Sequence, residues 1–199
     1  MFSRIGVLLL CAIAVVAPDA TSEEAQPTAV AAVPGYAVPG EAAPHAANTA
    51  AAPANPSPMR LGIPKIGVDA RIEARGLDSG RNMLTPNDFR DVAWYNLGPT
   101  PGQPGNALIN GHVDWWTGAA VFTRLSDLKP GDSVIVVRRD GTRITFKVKG
   151  MQTVAANARV ASLFAPSPAA TLTLITCTGV WDPRIMSDTH RLLVSAVLA

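Results

Sequence analysis

The chain has 199 residues and a nearly balanced charge, 17 lysines and arginines against 15 acidic residues. Of these, 16 cations but only 11 acids lie from Arg60 onward, a net +5 spread singly rather than in runs. That spacing excludes the clustered footprint of a nucleic-acid binder and suits a place beside anionic lipid or an acidic wall polymer.

Residues 5–17 (IGVLLLCAIAVVA) are apolar throughout, with Arg4 before them. A bilayer span needs about 20 apolar residues, so this stretch is nearer in length to the core of a secretion signal. Pro18 and Asp19 interrupt any extension. Residues 1–20 are therefore read as an N-terminal membrane anchor, with a cleaved signal as the alternative and the positive end inside. A lipidated Cys11 is disfavoured, because Leu9 and Leu10 do not resemble the small residues of such a signal. Residues 21–58 are rich in Ala and Pro and hold no Lys or Arg. Such a stretch cannot supply a core and is expected to be an extended, disordered tether. Residues 59–199 are enough for one domain.

The domain opens on a β-type run, Met59 to Val68, in which Pro64 marks an edge or a break. Asp69 to Leu77 alternates in the manner of a strand, Asp78 to Asp91 is irregular, and Val92-Ala93-Trp94-Tyr95 reads as a short strand. Leu97 to Asn106 carries too much Pro and Gly to form an element. It leads into Ala107-Leu108-Ile109-Asn110-Gly111-His112, a strand ending in histidine. Ala119 to Leu128 places Val121, Leu125 and Leu128 on one face and predicts a helix. Lys129 to Asp132 is a turn, Ser133 to Arg138 a strand, Arg139 to Thr142 a hairpin turn around Asp-Gly, and Arg143 to Lys149 the returning strand. Ser162 to Pro168 is expected as a loop with one helical turn. Thr171 to Cys177 and Arg191 to Val197 are the closing strands, the first giving way to a loop at Thr178. Many short strands, tight turns and little helix predict a mainly β fold, a closed or nearly closed barrel.

Cys177 is the one cysteine of the domain, so a disulfide within it is excluded and a free thiol is expected. A thiol at one strand's end and a guanidinium at the start of the next are candidates for a shared site, as is His112 at a third strand end. A thiolate attacks carbonyls, an imidazole exchanges its proton, and an arginine stabilises the oxygen that becomes negative. The competing reading makes Cys177 a small buried hydrophobe and His112 a hydrogen-bonded structural histidine. His190 points away from the face that Arg191 uses, and Asp114 either orients His112 or caps the following loop. One cysteine and two domain histidines lack zinc-site spacing, and no phosphate loop is present. Adjacent Trp115 and Trp116 cannot both be core, so one is expected to line a groove or touch a membrane surface.

The order of these motifs resembles the sortases, the cysteine transpeptidases of Gram-positive envelopes, and most nearly their class F group. The histidine motif stands as Asn106 to Asp114, the cysteine motif as Leu172 to Cys177, and the arginine segment as His190 to Ala196. Val92 to Tyr95 with Gly98-Pro99, and Val121 to Leu125 with Leu128 to Asp132, also fit. The resemblance implies an eight-stranded sortase β-barrel with short helices. It gives Cys177 as nucleophile, His112 as the proton-handling histidine and Arg191 as the oxyanion or substrate-binding arginine. It further implies cleavage of an LPxTG-like signal after its threonine. The thioacyl enzyme would then pass to a peptidoglycan-precursor amine, or to water. The expected partners are secreted proteins bearing that signal, at the outer face of the cell membrane, with no cofactor and no metal. A hydrolytic cysteine peptidase and a non-catalytic envelope-binding barrel are the alternatives.

Overall fold

The protein is described by a computed structural model in which residues 57–116 and 118–199, with the backbone of Ile13–Ala14, are placed. The expected anchor (1–20) and tether (21–58) otherwise lie outside the described residues, save the tether's last two positions.

Eight strands follow in chain order: β1 (Pro58–Ile63), β2 (Val68–Arg75), β3 (Val92–Tyr95), β4 (Gly105–Asn110), β5 (Ser133–Arg138), β6 (Arg143–Ala155), β7 (Ala170–Asp182) and β8 (Ser187–Leu198). They close in the order β6-β8-β7-β4-β3-β2-β1-β5, so the expected barrel is present and no barrel edge is left open. β4 and β7 run parallel, as do β2 and β3, and the other pairings are antiparallel. A two-residue ladder joins Ile13–Ala14 to Asn82–Met83, and another joins Asp114–Trp115 to Gly118–Ala119.

Period-two alternation divides each strand between two apolar environments. Ile109 on β4, Leu172 and Leu174 on β7, and Leu192 and Val194 on β8 fill the barrel with Phe122, Val134 and Phe146. The intervening residues Leu108, Ile175 and Leu193 point to the outer face and form a second cluster with Met83, Tyr95 and Leu163. Leu163 comes from a short 3-10 turn, Ala161–Phe164, which supplies the helical turn expected in the segment before β7. Pro64 does break the first run: a 3-10 turn over Pro64–Ile66 closes on Gly67 at φ 73°, a conformation glycine takes without steric cost.

Two expectations are corrected. Ala119 to Leu128 is not a helix; its only helical turn is the 3-10 segment Leu125–Asp127. Its first amides are already committed, Val121 N–H to the Phe89 carbonyl and Phe122 N–H to that of His112, both at 2.9 Å. The buried residues are Phe122, Leu125 and Leu128, a spacing of three that suits a 3-10 turn as well as an α-helix. Cys177, in turn, is not at a strand's end. β7 continues past it through a bulge between Thr178 and Trp181, with Gly179 at φ 97°, and re-pairs Trp181 with Asp188 and Asp182 with Ser187. β6 likewise extends beyond Lys149 to Ala155, across an irregularity at Gly150.

Candidate active site

β4, β7 and β8 are neighbours in the barrel wall, and their register aligns the three singled-out residues. Ile175 on β7 is paired with Asn110 on β4 and with Leu193 on β8. Two residues further along β7, Cys177 is the direct Cα partner of Arg191. On the β4 side, Gly111 N–H donates to the Ile175 carbonyl at 3.1 Å, and the Thr176 hydroxyl donates to the Gly111 carbonyl at 2.8 Å. Those bonds extend the parallel pairing past Asn110 and deliver His112 beside Cys177. Since Ile175 and Leu193 face outward, alternation sends Cys177 and Arg191 to the same outer face. His112, Cys177 and Arg191 thus form one row on the outside of the barrel, each buried.

Arg191 is held by the start of its own strand. Its Nη1 donates to the carbonyls of Asp188 (2.9 Å) and His190 (2.8 Å), and its Nη2 donates to the Ser187 hydroxyl at 2.8 Å. Burial pulls its pKa down and the Asp188 carboxylate pushes it back up, and an arginine stays charged throughout. Asp188 is itself raised, first by burial and then by the charge of Asp114, with Arg191 opposing.

His112 Nε2 lies 3.3 Å from the Pro86 carbonyl. A carbonyl only accepts, so the proton sits on Nε2 and Nδ1 is the basic nitrogen. Burial is the main influence on the ring and lowers its pKa below the ordinary 6.5, while the Pro86 bond and the Asp114 charge oppose it. Asp114 acts on His112 as a charge, and the ring's hydrogen bond goes to Pro86. Trp115 lies against His112, ring centroids 5.6 Å apart, and stacks on Phe89 at 5.6 Å and 18°. Trp116 contacts Trp115 at 4.3 Å and is itself exposed, while Trp115 is half-buried against His112. His190 is exposed and bonded to Thr189 Oγ1, away from the row.

Cys177 departs from expectation in one respect. Its sulfur is held in a disulfide rather than as a free thiol. The domain has no second cysteine, and the sequence's only other one, Cys11, lies outside the described residues.

Below the row, Asn106 ties three pieces together. The hydroxyls of Thr171 and Thr173 donate to its Oδ1 (3.2 and 3.1 Å), and its Nδ2 donates to the Leu163 carbonyl at 3.1 Å. It therefore fixes the segment between β6 and β7 over the outer face. Behind Leu163 is a cavity of about 520 Å³, lined in part by Asn106, Met151, Ser162, Thr173 and Leu193. The sequence offered Asn106 only as the first residue of the histidine motif and singled out neither Ser187 nor Pro86. Alternation could have found the first two, since 106, 108 and 110 share a face, as do 187 and 191. Pro86 carries no such signal. Among the described residues no group of three His, Cys, Asp or Glu is placed to hold a metal.

A family model described as a sortase domain matches residues 61–199. Among solved structures, the chain is similar to sortase A from Corynebacterium diphtheriae in a lid mutant. That match has 25% identity and a TM-score of 0.57, covering 72% of this chain and 70% of the other. It is also similar to sortase C-1 from Actinomyces oris, at 26% identity and a TM-score of 0.54, covering 70% and 72% respectively. No curated protein matches.

Proposed function

The chain belongs to the sortase family, and from that premise we propose that it is a cysteine transpeptidase of class F type acting on an LPxTG-like sorting signal. The observation that carries the reading is the cross-strand pairing of Cys177 with Arg191, with His112 brought alongside on the same outer face. The reduced Cys177 thiol and the neutral His112 exchange a proton to give a thiolate and an imidazolium. Burial of the ring disfavours its imidazolium form. The thiolate sulfur bonds to the carbonyl carbon of the signal's threonine, and the Arg191 guanidinium stabilises the resulting oxyanion. As the oxyanion collapses, the C–N bond to glycine breaks and His112 gives its proton to the leaving amine, which leaves a thioester on Cys177. An incoming amine of a peptidoglycan precursor then attacks the thioester and loses its proton to His112. The Cys177 thiolate departs.

The disulfide at Cys177 must be reduced before any of this, because only the thiolate is nucleophilic. The partners are secreted proteins bearing the signal, and the site of action is the outer face of the cell membrane. Intact mass spectrometry of the reduced protein mixed with sorting-signal peptides tests the assignment. A single acyl adduct on Cys177, absent from Cys177→Ala, is the expected result. Cleavage of a fluorogenic LPxTG peptide by Cys177→Ala at the unmutated rate would refute it. Adding an oligoglycine or diaminopimelate-type amine separates transfer from hydrolysis: ligated product marks a transpeptidase, free acid alone a peptidase. Peptide binding that survives iodoacetamide on the reduced protein, with no covalent adduct and no turnover, would leave only a binding barrel.

A further inference from the structure

The strand register orders the outer face into rows that step away from the reactive groups. Beyond the Cys177–Arg191 pair, the next outward rows across β7, β8 and β6 are Ile175–Leu193–Gln152, Thr173–Ser195–Gly150 and Thr171–Val197–Lys147. Lys149 falls in the register shift between Val148 and Gly150, has no register partner of its own and flanks the Thr173–Ser195 row. Successive rows lie two residues apart along a strand, about 6.7 Å, so the Thr173 and Thr171 rows stand about 13 and 20 Å from Cys177.

A substrate that acylates Cys177 through the threonine of an LPxTG-like signal has its leucine three residues back, about 10 Å away in an extended chain. The leucine and proline are apolar, so they lie toward the outer cluster of Leu108, Ile175, Leu193 and Leu163, and not in the opposite direction, toward Asp188 and the hairpin. That fixes which way the chain runs. The one to three residues ahead of the leucine then fall about 13–20 Å from Cys177, over the Thr173 and Thr171 rows.

Those rows floor the cavity of about 520 Å³ behind Leu163, whose lining includes Lys149, Gln152, Ser162, Thr173 and Ser195. Among the described residues Lys149 is the only charged group lining it. Lys149 is exposed and forms no ion pair among the described residues, whereas Lys147 is engaged with the Ser133 hydroxyl at 2.8 Å. The β6–β7 segment separates this space from a second cavity of about 390 Å³ on the β4 side. That one is lined by Tyr95, Leu97, Pro99, Leu108 and Phe164 and has no charged residue in its described lining. A cation on one side and none on the other gives the two spaces different ligand chemistry. An acidic side chain entering the first gains a partner that is sheltered under the segment, and a basic one is repelled.

We propose that the cavity beside Lys149 is a subsite for the residues immediately ahead of the sorting signal, and that Lys149 selects acidic side chains there. The inference rests on the transpeptidase reading and adds a determinant that lies outside the signal itself. The reduced full chain is given three fluorogenic peptides that share one LPxTG signal and differ only in the three residues before it: all Asp, all Ala or all Lys. KM for the aspartate peptide should be at least about threefold below that for the alanine peptide, and KM for the lysine peptide about threefold above it. The contact is made equally before and during the chemical step, so kcat should stay within about twofold across the set. Added salt should shrink the differences in KM. Lys149→Gln should draw the three KM values together, and Lys149→Glu should invert the order of the aspartate and lysine peptides. Both variants should cleave the alanine peptide within about twofold of the unmutated rate, which shows that they are folded and competent. Three equal KM values in the unmutated protein overturn the subsite and leave the transpeptidase reading standing, as does an order that survives Lys149→Gln and Lys149→Glu. Failure to cleave any of the three peptides removes the transpeptidase reading, and the subsite with it.

Discussion

Ser187→Ala should separate the holding of Arg191 from its chemistry. The Ser187 hydroxyl accepts from Arg191 Nη2 at 2.8 Å, in a place where Arg191 is only 2% exposed. A hydrogen bond to a charged donor contributes about 1.5–3 kcal/mol, and its loss inside the fold leaves an N–H with no water to replace the partner. For a domain of this size that corresponds to a fall in Tm of about 5–10 °C. The effect on catalysis should be smaller. Two further anchors, the Asp188 and His190 carbonyls, belong to the backbone and survive the substitution. The guanidinium therefore loosens without leaving, and kcat on a fluorogenic LPxTG peptide should drop about tenfold with KM nearly unchanged. Arg191→Ala, which removes the charge itself, should cost about 10²–10³. Ser187→Thr keeps the hydroxyl and should recover most of both losses. The two substitutions share one interaction, so Ser187→Ala with Arg191→Ala should be little worse than Arg191→Ala alone. Additive losses in kcat would refute the positioning role, as would a Ser187→Ala protein with unaltered melting and turnover.

Asn106→Ala releases the β6–β7 segment from the outer face, so KM for the peptide should rise about fivefold while kcat stays within about twofold, as read from steady-state kinetics. Gly111→Ala places a Cβ 2.8 Å from both Phe122 Cδ2 and Val121 Cγ1, with Phe122 fully buried. The overpacking should cost about 1–3 kcal/mol in denaturant unfolding and, by displacing His112, should lower kcat at least about tenfold. The pKa of His112 is depressed in the fold, so the unfolded chain takes up the proton first as pH falls below 6.5. Stability should decline from there until the folded-state value is passed, and His112→Gln should flatten that part of the curve of denaturant midpoint against pH. Iodoacetamide should add mass at Cys177 only after reduction, as followed by intact mass spectrometry.

Most of the barrel was legible because its strands alternate, and alternation is a local property. The segment from Thr171 through Cys177 could be read as a strand without knowing its neighbours. The helix expected over 119–128 shows the limit of that kind of reading. Phe122, Leu125 and Leu128 recur every three residues, which local pattern cannot assign between helix types, and the deciding contacts are amide bonds to Phe89 and His112, distant in the chain. The continuation of β7 beyond Thr178 failed for a similar reason. Gly179 looks like a loop residue, and only the partner strand shows that it sits in a bulge from which pairing resumes.

The site was legible for a different reason, and the same reason explains which residues were missed. Period two tells which residues of one strand share a face, but not which strands lie side by side. Cys177 and Arg191 could be paired in advance because they flank one hairpin. His112 required knowing that β4 lies parallel to β7, a crossover that no turn residue announces. Given that adjacency, one register fixes every outward position at once: Asn106 against Thr171, Asn110 against Ile175, and His112 beside Cys177. A slip of one residue between β4 and β7 would turn Cys177 and Ile175 inward together, exchanging a thiol for a core leucine and stranding Asn106. The hydrophobic pattern that builds the barrel therefore also aims the three candidate site residues, and a variant that alters the first without the second should be hard to find.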